Sequence, residues 1–126
     1  MDKTLNISGI DVKFRATART PRLYRAIIGR DLIRDINKLR KAYNKAASIP
    51  DDASEEEKKD AQLSVIDLEM FENIAYVMAR HANPEIAETV EEWLDGFQMF
   101  SIWQILPELL KLWALNEQTT STPKKK

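Results

Sequence analysis

The sequence predicts a mainly α fold of the α+β kind: an N-terminal β-hairpin followed by about five helices packed as one compact domain over residues 1–118. Three observations carry this expectation. Apolar and polar residues alternate around Ser8-Gly9 near the start. Beyond Pro21, apolar residues recur at spacings of three and four. Between these periodic runs stand Gly29, Gly96 and the pairs Thr20-Pro21 and Asn83-Pro84, the usual punctuation of helices.

Residues 3–17 read as the hairpin. Leu5 and Ile7 alternate with polar neighbours, Ser8-Gly9 supplies the turn, and Val12, Phe14 and Ala16 alternate with Lys13, Arg15 and Thr17. A lone two-stranded hairpin is marginal in water, so its apolar face must lie on helices or its edge must pair with another strand. Thr20 is placed to cap a first helix with Pro21 in its first turn, and the helix should stop at Gly29. Asp31 then caps a second helix, which sets Leu32, Ile36, Leu39, Tyr43 and Ala46 on one stripe.

Ser48 to Asp60 is a polar, acidic connector in which Ser54 and Glu57 form a capping box for a third helix reaching Ala82. Ile66, Met70, Ile74, Val77 and Met78 share one side of it, and Val65, Leu68, Phe71 and Ala75 widen the apolar arc. This should be the central, most buried helix. Asn83-Pro84 opens a fourth helix that runs to about Asp95. Ser101 caps a last helical region, which Pro107 must kink or divide. From Thr119 on, Thr-Thr-Ser-Thr-Pro-Lys-Lys-Lys has nothing to bury, so residues 119–126 read as a disordered basic tail.

Composition narrows the function. The chain of 126 residues is 44% hydrophobic and 31% charged, a globular balance for a chain able to bury one ordinary core. It has no cysteine, which removes disulfides, thiolate metal sites and a cysteine nucleophile together. Met1 to Asn6 lacks the apolar run of a secretory leader. The most apolar stretch, Phe100 to Leu115, contains Gln104, Pro107, Glu108 and Lys111 and is too short and polar for a membrane span. The net charge of −1 hides a segregation: residues 1–47 carry twelve Lys and Arg against four Asp, whereas residues 48–117 carry four against sixteen Asp and Glu. Such halves attract one another within a domain, guide association with a partner or another copy, or reserve a basic face for nucleic acid.

Little in the sequence speaks for catalysis. His81, the only histidine, ends an apolar stripe just before Asn83-Pro84 and is expected to pack or to meet the terminal carbonyls of its helix. Asp51-Asp52, Glu55-Glu56-Glu57 and Glu91-Glu92 are neighbours in sequence, so on a helix they diverge and cannot work as a pair across a substrate. No phosphate-cradling loop, metal set or cofactor motif is expected. Arg19, Arg22, Arg25, Arg30, Arg34, Lys38, Arg40 and Lys41 support one alternative, a small DNA-binding regulatory protein, but no aromatic platform or helix-turn-helix pattern accompanies them.

The segment from Phe100 to Leu115 is apolar at eleven of sixteen positions, more than one stripe requires. Tryptophan is enriched where binding energy concentrates, so Phe100, Trp103, Leu106, Leu109, Leu110 and Trp113 are the expected partner-binding residues.

Three patches then give the chain a likeness. They are Ile7-Ser8-Gly9-Ile10-Asp11-Val12-Lys13-Phe14-Arg15-Ala16-Thr17; Thr20-Pro21-Arg22-Leu23-Tyr24-Arg25 with Gly29-Arg30-Asp31; and Glu92-Trp93-Leu94-Asp95 with Ile105-Leu106-Pro107-Glu108-Leu109-Leu110-Lys111-Leu112-Trp113. In this order they resemble the tail assembly chaperones of long-tailed phages and prophages of Gram-positive bacteria. The resemblance implies a non-catalytic, non-structural helper in the host bacterial cytoplasm. Such a helper binds the hydrophobic tape-measure protein, keeps it soluble and helps recruit tail-tube protein, needing no cofactor and possessing no membrane segment. Self-association into a homo-oligomer is compatible with it, and nucleic acid is not its expected partner.

Overall fold

The computed structural model describes residues 1–120. Strands β1 (Asp2–Ile7) and β2 (Ile10–Arg15) pair antiparallel, with Ile7 opposite Ile10, Leu5 opposite Val12 and Lys3 opposite Phe14. Ser8 and Gly9 fill the two-residue turn with φ of 53° and 83°. Positive φ at both positions is the type I′ geometry whose twist matches the strands it joins. The register puts Leu5, Ile7, Val12 and Phe14 on one face, where Ile7 and Phe14 are buried. The other face is polar, and Arg15 clasps Asp2 through two bonds of 2.8 and 3.0 Å.

Helix α1 (Thr20–Ile28) follows. Thr20 does not cap it, contrary to the expectation. Its buried hydroxyl instead accepts the Thr17 N–H at 2.8 Å, which fastens the hairpin's exit, and Arg19 holds the cap position without a side-chain bond. Gly29 closes the helix at φ 84°, donating its N–H to the carbonyls of Tyr24 and Arg25. Asp31 caps α2 (Leu32–Ala47) by accepting the Arg34 N–H, and Leu32, Ile36 and Leu39 are buried along the predicted stripe.

Asp35 is buried on that helix too. A buried carboxylate needs partners, and it has three bonds: Arg30 Nε at 2.7 Å, Arg30 Nη2 at 2.8 Å and the Tyr24 hydroxyl at 2.7 Å. Burial pushes this carboxyl up, but the hydrogen bonds from Arg30 and Tyr24 and the guanidinium charge outweigh it and hold the carboxyl below its ordinary value. Burial first, and then the bond to Asp35, drives the Tyr24 phenol well above its usual range. The triad locks α1 against α2.

The expected third helix is two helices. Ser54 and Glu57 do form a capping box, but they open only α3 (Glu55–Asp60). A second box, Ser64 with Asp67, opens α4 (Val65–Ala82): Ser64 Oγ accepts the Asp67 N–H at 3.0 Å and Asp67 Oδ2 accepts the Ser64 N–H at 2.9 Å. The expected fourth helix also starts later, as α5 (Val90–Asp95) capped by Thr89. Residues 83–89 form turns instead. The Asn83 side chain accepts the Glu85 N–H, and the Tyr76 hydroxyl reaches the Ala87 carbonyl at 2.6 Å, which holds this segment on α4.

The last helix, α6 (Ile102–Thr120), runs through Pro107 without dividing. It includes Thr119 and Thr120, which were expected to belong to the tail; the remaining tail expectation, from residue 121, lies outside the described residues. The core joins the hairpin's inner face to α1, α2, α4, α5 and α6, with Tyr24, Phe14, Leu39, Phe71, Tyr76, Met78 and Leu106 among its most enclosed side chains. A mainly helical fold carrying an N-terminal hairpin is what the sequence predicts, and α4 is its central helix from Met70 onward.

Candidate partner-binding surface

The apolar run of α6 resolves into one stripe and a remainder. Ile102, Ile105, Leu106, Leu109, Leu112 and Trp113 are all buried, and their spacings of three, one, three, three and one trace a single helical face. Three of the six expected binding residues are among them: Leu106, Leu109 and Trp113, the last only 3% exposed, are core residues in this fold. Phe100 and Leu110 are half-buried against the same core.

Trp103 is the exception, with half of its surface (50%) exposed. Pro107 has no N–H, so the carbonyl four residues earlier loses its helical donor. That carbonyl belongs to Trp103, and the Tyr43 hydroxyl from the last turns of α2 reaches it at 3.4 Å. The Tyr43 ring lies 5.1 Å from the indole. The sequence signal was available: Pro107 identified which carbonyl would be orphaned, though not which side chain would answer it.

The indole that organises the core is the third tryptophan, Trp93, which the expected binding set omits. Tyr76, Phe97 and Phe100 stand 5.7, 5.2 and 5.2 Å from it and Phe14 stands 6.5 Å away. Phe100 in turn lies 5.2 Å from Phe71 of α4. These contacts bring the start of α6, the end of α2 and the early turns of α4 to one end of the helical layer.

At that end the first turns of α4 are open. Val65 is 73% exposed and Ile66 67% exposed, and Leu68 is exposed as well, although the sequence pattern assigns all three to the buried arc. Their carboxylate neighbours are Asp67, Glu69 and Glu72. Burial, with the nearby charges of Glu69 and Glu91, raises the Glu72 carboxyl, so acidic groups of α4 and α5 stand close together. Met99, also exposed, is fixed between this end and the hairpin turn: Ser8 Oγ donates to its carbonyl at 2.7 Å and accepts its N–H at 2.9 Å.

The polar candidates have structural partners. His81 is half-buried and shares a 2.8 Å hydrogen bond with Thr17 Oγ1, tying α4 to the hairpin's exit. Burial first, then the charges of Arg15 and Arg19, lower its pKa. Arg22, Arg25, Arg34, Lys38 and Lys41 are exposed on α1 and α2. Among the described residues no group of three His, Asp or Glu is placed to hold a metal, and no helix is long and apolar enough to cross a membrane. No family model, curated protein or solved structure matches this chain.

Proposed function

We propose that this chain is a non-catalytic tail assembly chaperone of a phage or prophage, binding the hydrophobic tape-measure protein in the host cytoplasm and helping to recruit tail-tube subunits. The reading rests on the resemblance of the three sequence patches. The observation that supports it is the set of apolar side chains left in solvent by a fold whose core is otherwise complete: Val65, Ile66 and Leu68 at the head of α4 and Trp103 at the head of α6.

A tape-measure chain exposes long apolar helical segments before the tail forms around it. An apolar end rimmed by carboxylates suits such a client, because the apolar groups supply affinity and the acidic rim keeps the chaperone in solution. Burying about 300 Å² there would contribute roughly 8 kcal/mol before ordering and association costs, which remove much of it. Many weak copies along one long client then act together through multivalency.

Co-expression with the neighbouring tape-measure gene tests the reading. The wild-type chain should keep the client soluble, and a doubly substituted Ile66→Asp, Trp103→Ala variant that melts like wild type should leave it in the pellet. Full rescue by that variant removes this surface from the reading. A wild-type chain that leaves the client insoluble removes the reading itself.

A further inference from the structure

We propose that the outer edge of β2 is a homodimer seam, in which β2 of a second copy adds antiparallel about a two-fold axis through Val12. The hairpin's two edges are unequal. The β1 side is flanked by α6, where Lys3 Nζ reaches Glu108 at 3.1 Å, and its turn is bound to Met99. The β2 side has no strand beside it among the described residues. It opens on a groove of about 370 Å³ whose walls include Ile10, Val12, Ile86, Trp93 and Phe97, with Asp11, Lys13 and Asn83 among the polar lining.

The backbone groups along that edge can be assigned. Met1 and Ala16 exchange both of their backbone bonds, at 2.8 and 2.9 Å. Bonded and non-bonded pairs alternate in an antiparallel ladder, so Phe14, Val12 and Ile10 turn their N–H and C=O groups toward β1. Asp11, Lys13 and Arg15 turn theirs outward. An edge carrying such groups is a template for another strand.

Charge selects the occupant and the register. With the axis at Val12, Asp11 of each copy stands opposite Lys13 of the other, so the two bonded pairs are also ion pairs on the polar face. Val12 meets Val12 of the second copy over the groove, and Ile10, 44% exposed in the single chain, comes beside Phe14 of the second copy. Moving the axis to Asp11 or to Lys13 also lets the outward groups meet, and in the Lys13 register Asp11 of each copy would face Arg15 of the other. Each of those choices sets like charges face to face. Only the Val12 register pairs opposite charges without setting like charges face to face, as suits an isologous, closed dimer. Within the single chain Lys13 has only a long 3.9 Å approach to Asp2, which leaves its ammonium free for the new partner. This inference goes beyond the client-binding end and does not depend on it.

Light-scattering mass of the full chain over a concentration series tests the seam. The expected result is a concentration-dependent rise toward twice the 14.6 kDa of one chain. Lys13→Pro deletes an outward N–H that the hairpin does not use, and should leave the protein folded and monomeric. Asp11→Lys alone and Lys13→Asp alone should each weaken the dimer by about tenfold or more, and the double exchange should restore it to within about threefold of wild type. The exchange set reads the same seam should Lys13→Pro unfold the hairpin. A chain that stays monomeric at every concentration overturns the proposal, even if some other strand binds this edge. So does a dimer indifferent to the single charge reversals, or one that the double exchange fails to restore.

Discussion

Two apolar segments of this molecule exchange the roles that their sequences suggest. The run from Phe100 to Leu115 has more apolar residues than a surface helix needs, yet the fold places six of the eleven on one buried face, half-buries Phe100 and Leu110, and leaves Trp103, Ala114 and Leu115 outside. The head of α4 reads as the start of a core helix, yet Val65 and Ile66 stand in solvent. Apolar content alone therefore does not say which segment is available to a partner. What decides is the neighbour. From Ile102 to Trp113, α6 lies on the core shared with α4 and β1, whereas α4 projects its first turn beyond the elements that pack on it.

The sharpest way to break this contrast is to disturb α6. Trp113→Ala should destabilise the protein by about 3–5 kcal/mol, because it empties a buried site that neighbours refill only in part. Leu106→Asp should go further, since it also buries a charge without a partner. Urea midpoints measure both. A Trp113→Ala variant with near-native stability would show that this indole faces outward and would return it to the binding surface.

The next effect concerns the polar counterpart of a sealed site. Tyr24→Phe removes one of three bonds to the buried Asp35 carboxylate and should cost about 2 kcal/mol at neutral pH. The sign of the pH dependence follows from the depressed carboxyl. The stabilisation it provides is complete above the unfolded carboxylate's pKa of about 3.9 and is lost as pH falls through the lower folded value. Without the Tyr24 bond the folded value moves up, so the gap between variant and wild type should narrow in acid. Unfolding curves at neutral pH and at about pH 3 would test this, and a gap that widens in acid would contradict it.

Much of this architecture was legible in the sequence, and the misses have common causes. The hairpin, its turn, Gly29, the Asp31 cap and the stripe of α2 are local, set by residues two to four apart, and they stand as read. The expected third helix is too long because two capping boxes follow one another, at Ser54 and again as Ser-x-x-Asp at Ser64, and the second restarts the chain. The delay of α5 depends on a tertiary bond, Tyr76 to Ala87, which no local pattern reveals. The binding residues were the hardest. Trp103 and Trp113 lie on the same helix with similar neighbours, and only the packing of α6 against the rest of the core separates an exposed indole from a sealed one.

A smaller effect tests how Trp103 is held. Tyr43→Phe should cost about 0.5–1 kcal/mol, since it removes the hydroxyl that donates to a carbonyl orphaned by Pro107. Pro107→Ala restores a backbone N–H at that place. In its background Tyr43→Phe should cost almost nothing, so the two substitutions are coupled in a double-mutant cycle. Strictly additive effects would mean that the hydroxyl and the proline act independently, and the exposed indole would owe its position to ring stacking alone.

The smallest change in stability should come from the open end of α4. Ile66 is two-thirds exposed, so Ile66→Ser removes little buried area and breaks no bond of the Ser64–Asp67 box. Its cost should stay within about 0.5 kcal/mol. This near-silence carries the contrast with α6, because the same apolar-to-polar change at Leu106 should be ruinous. If Ile66→Ser instead costs about 2 kcal/mol or more, as truncation of a buried aliphatic side chain does, then the residue is covered in solution by another part of this chain or by a second copy. Repeating the melt over a concentration series separates those cases, because only cover by a second copy makes the cost depend on concentration.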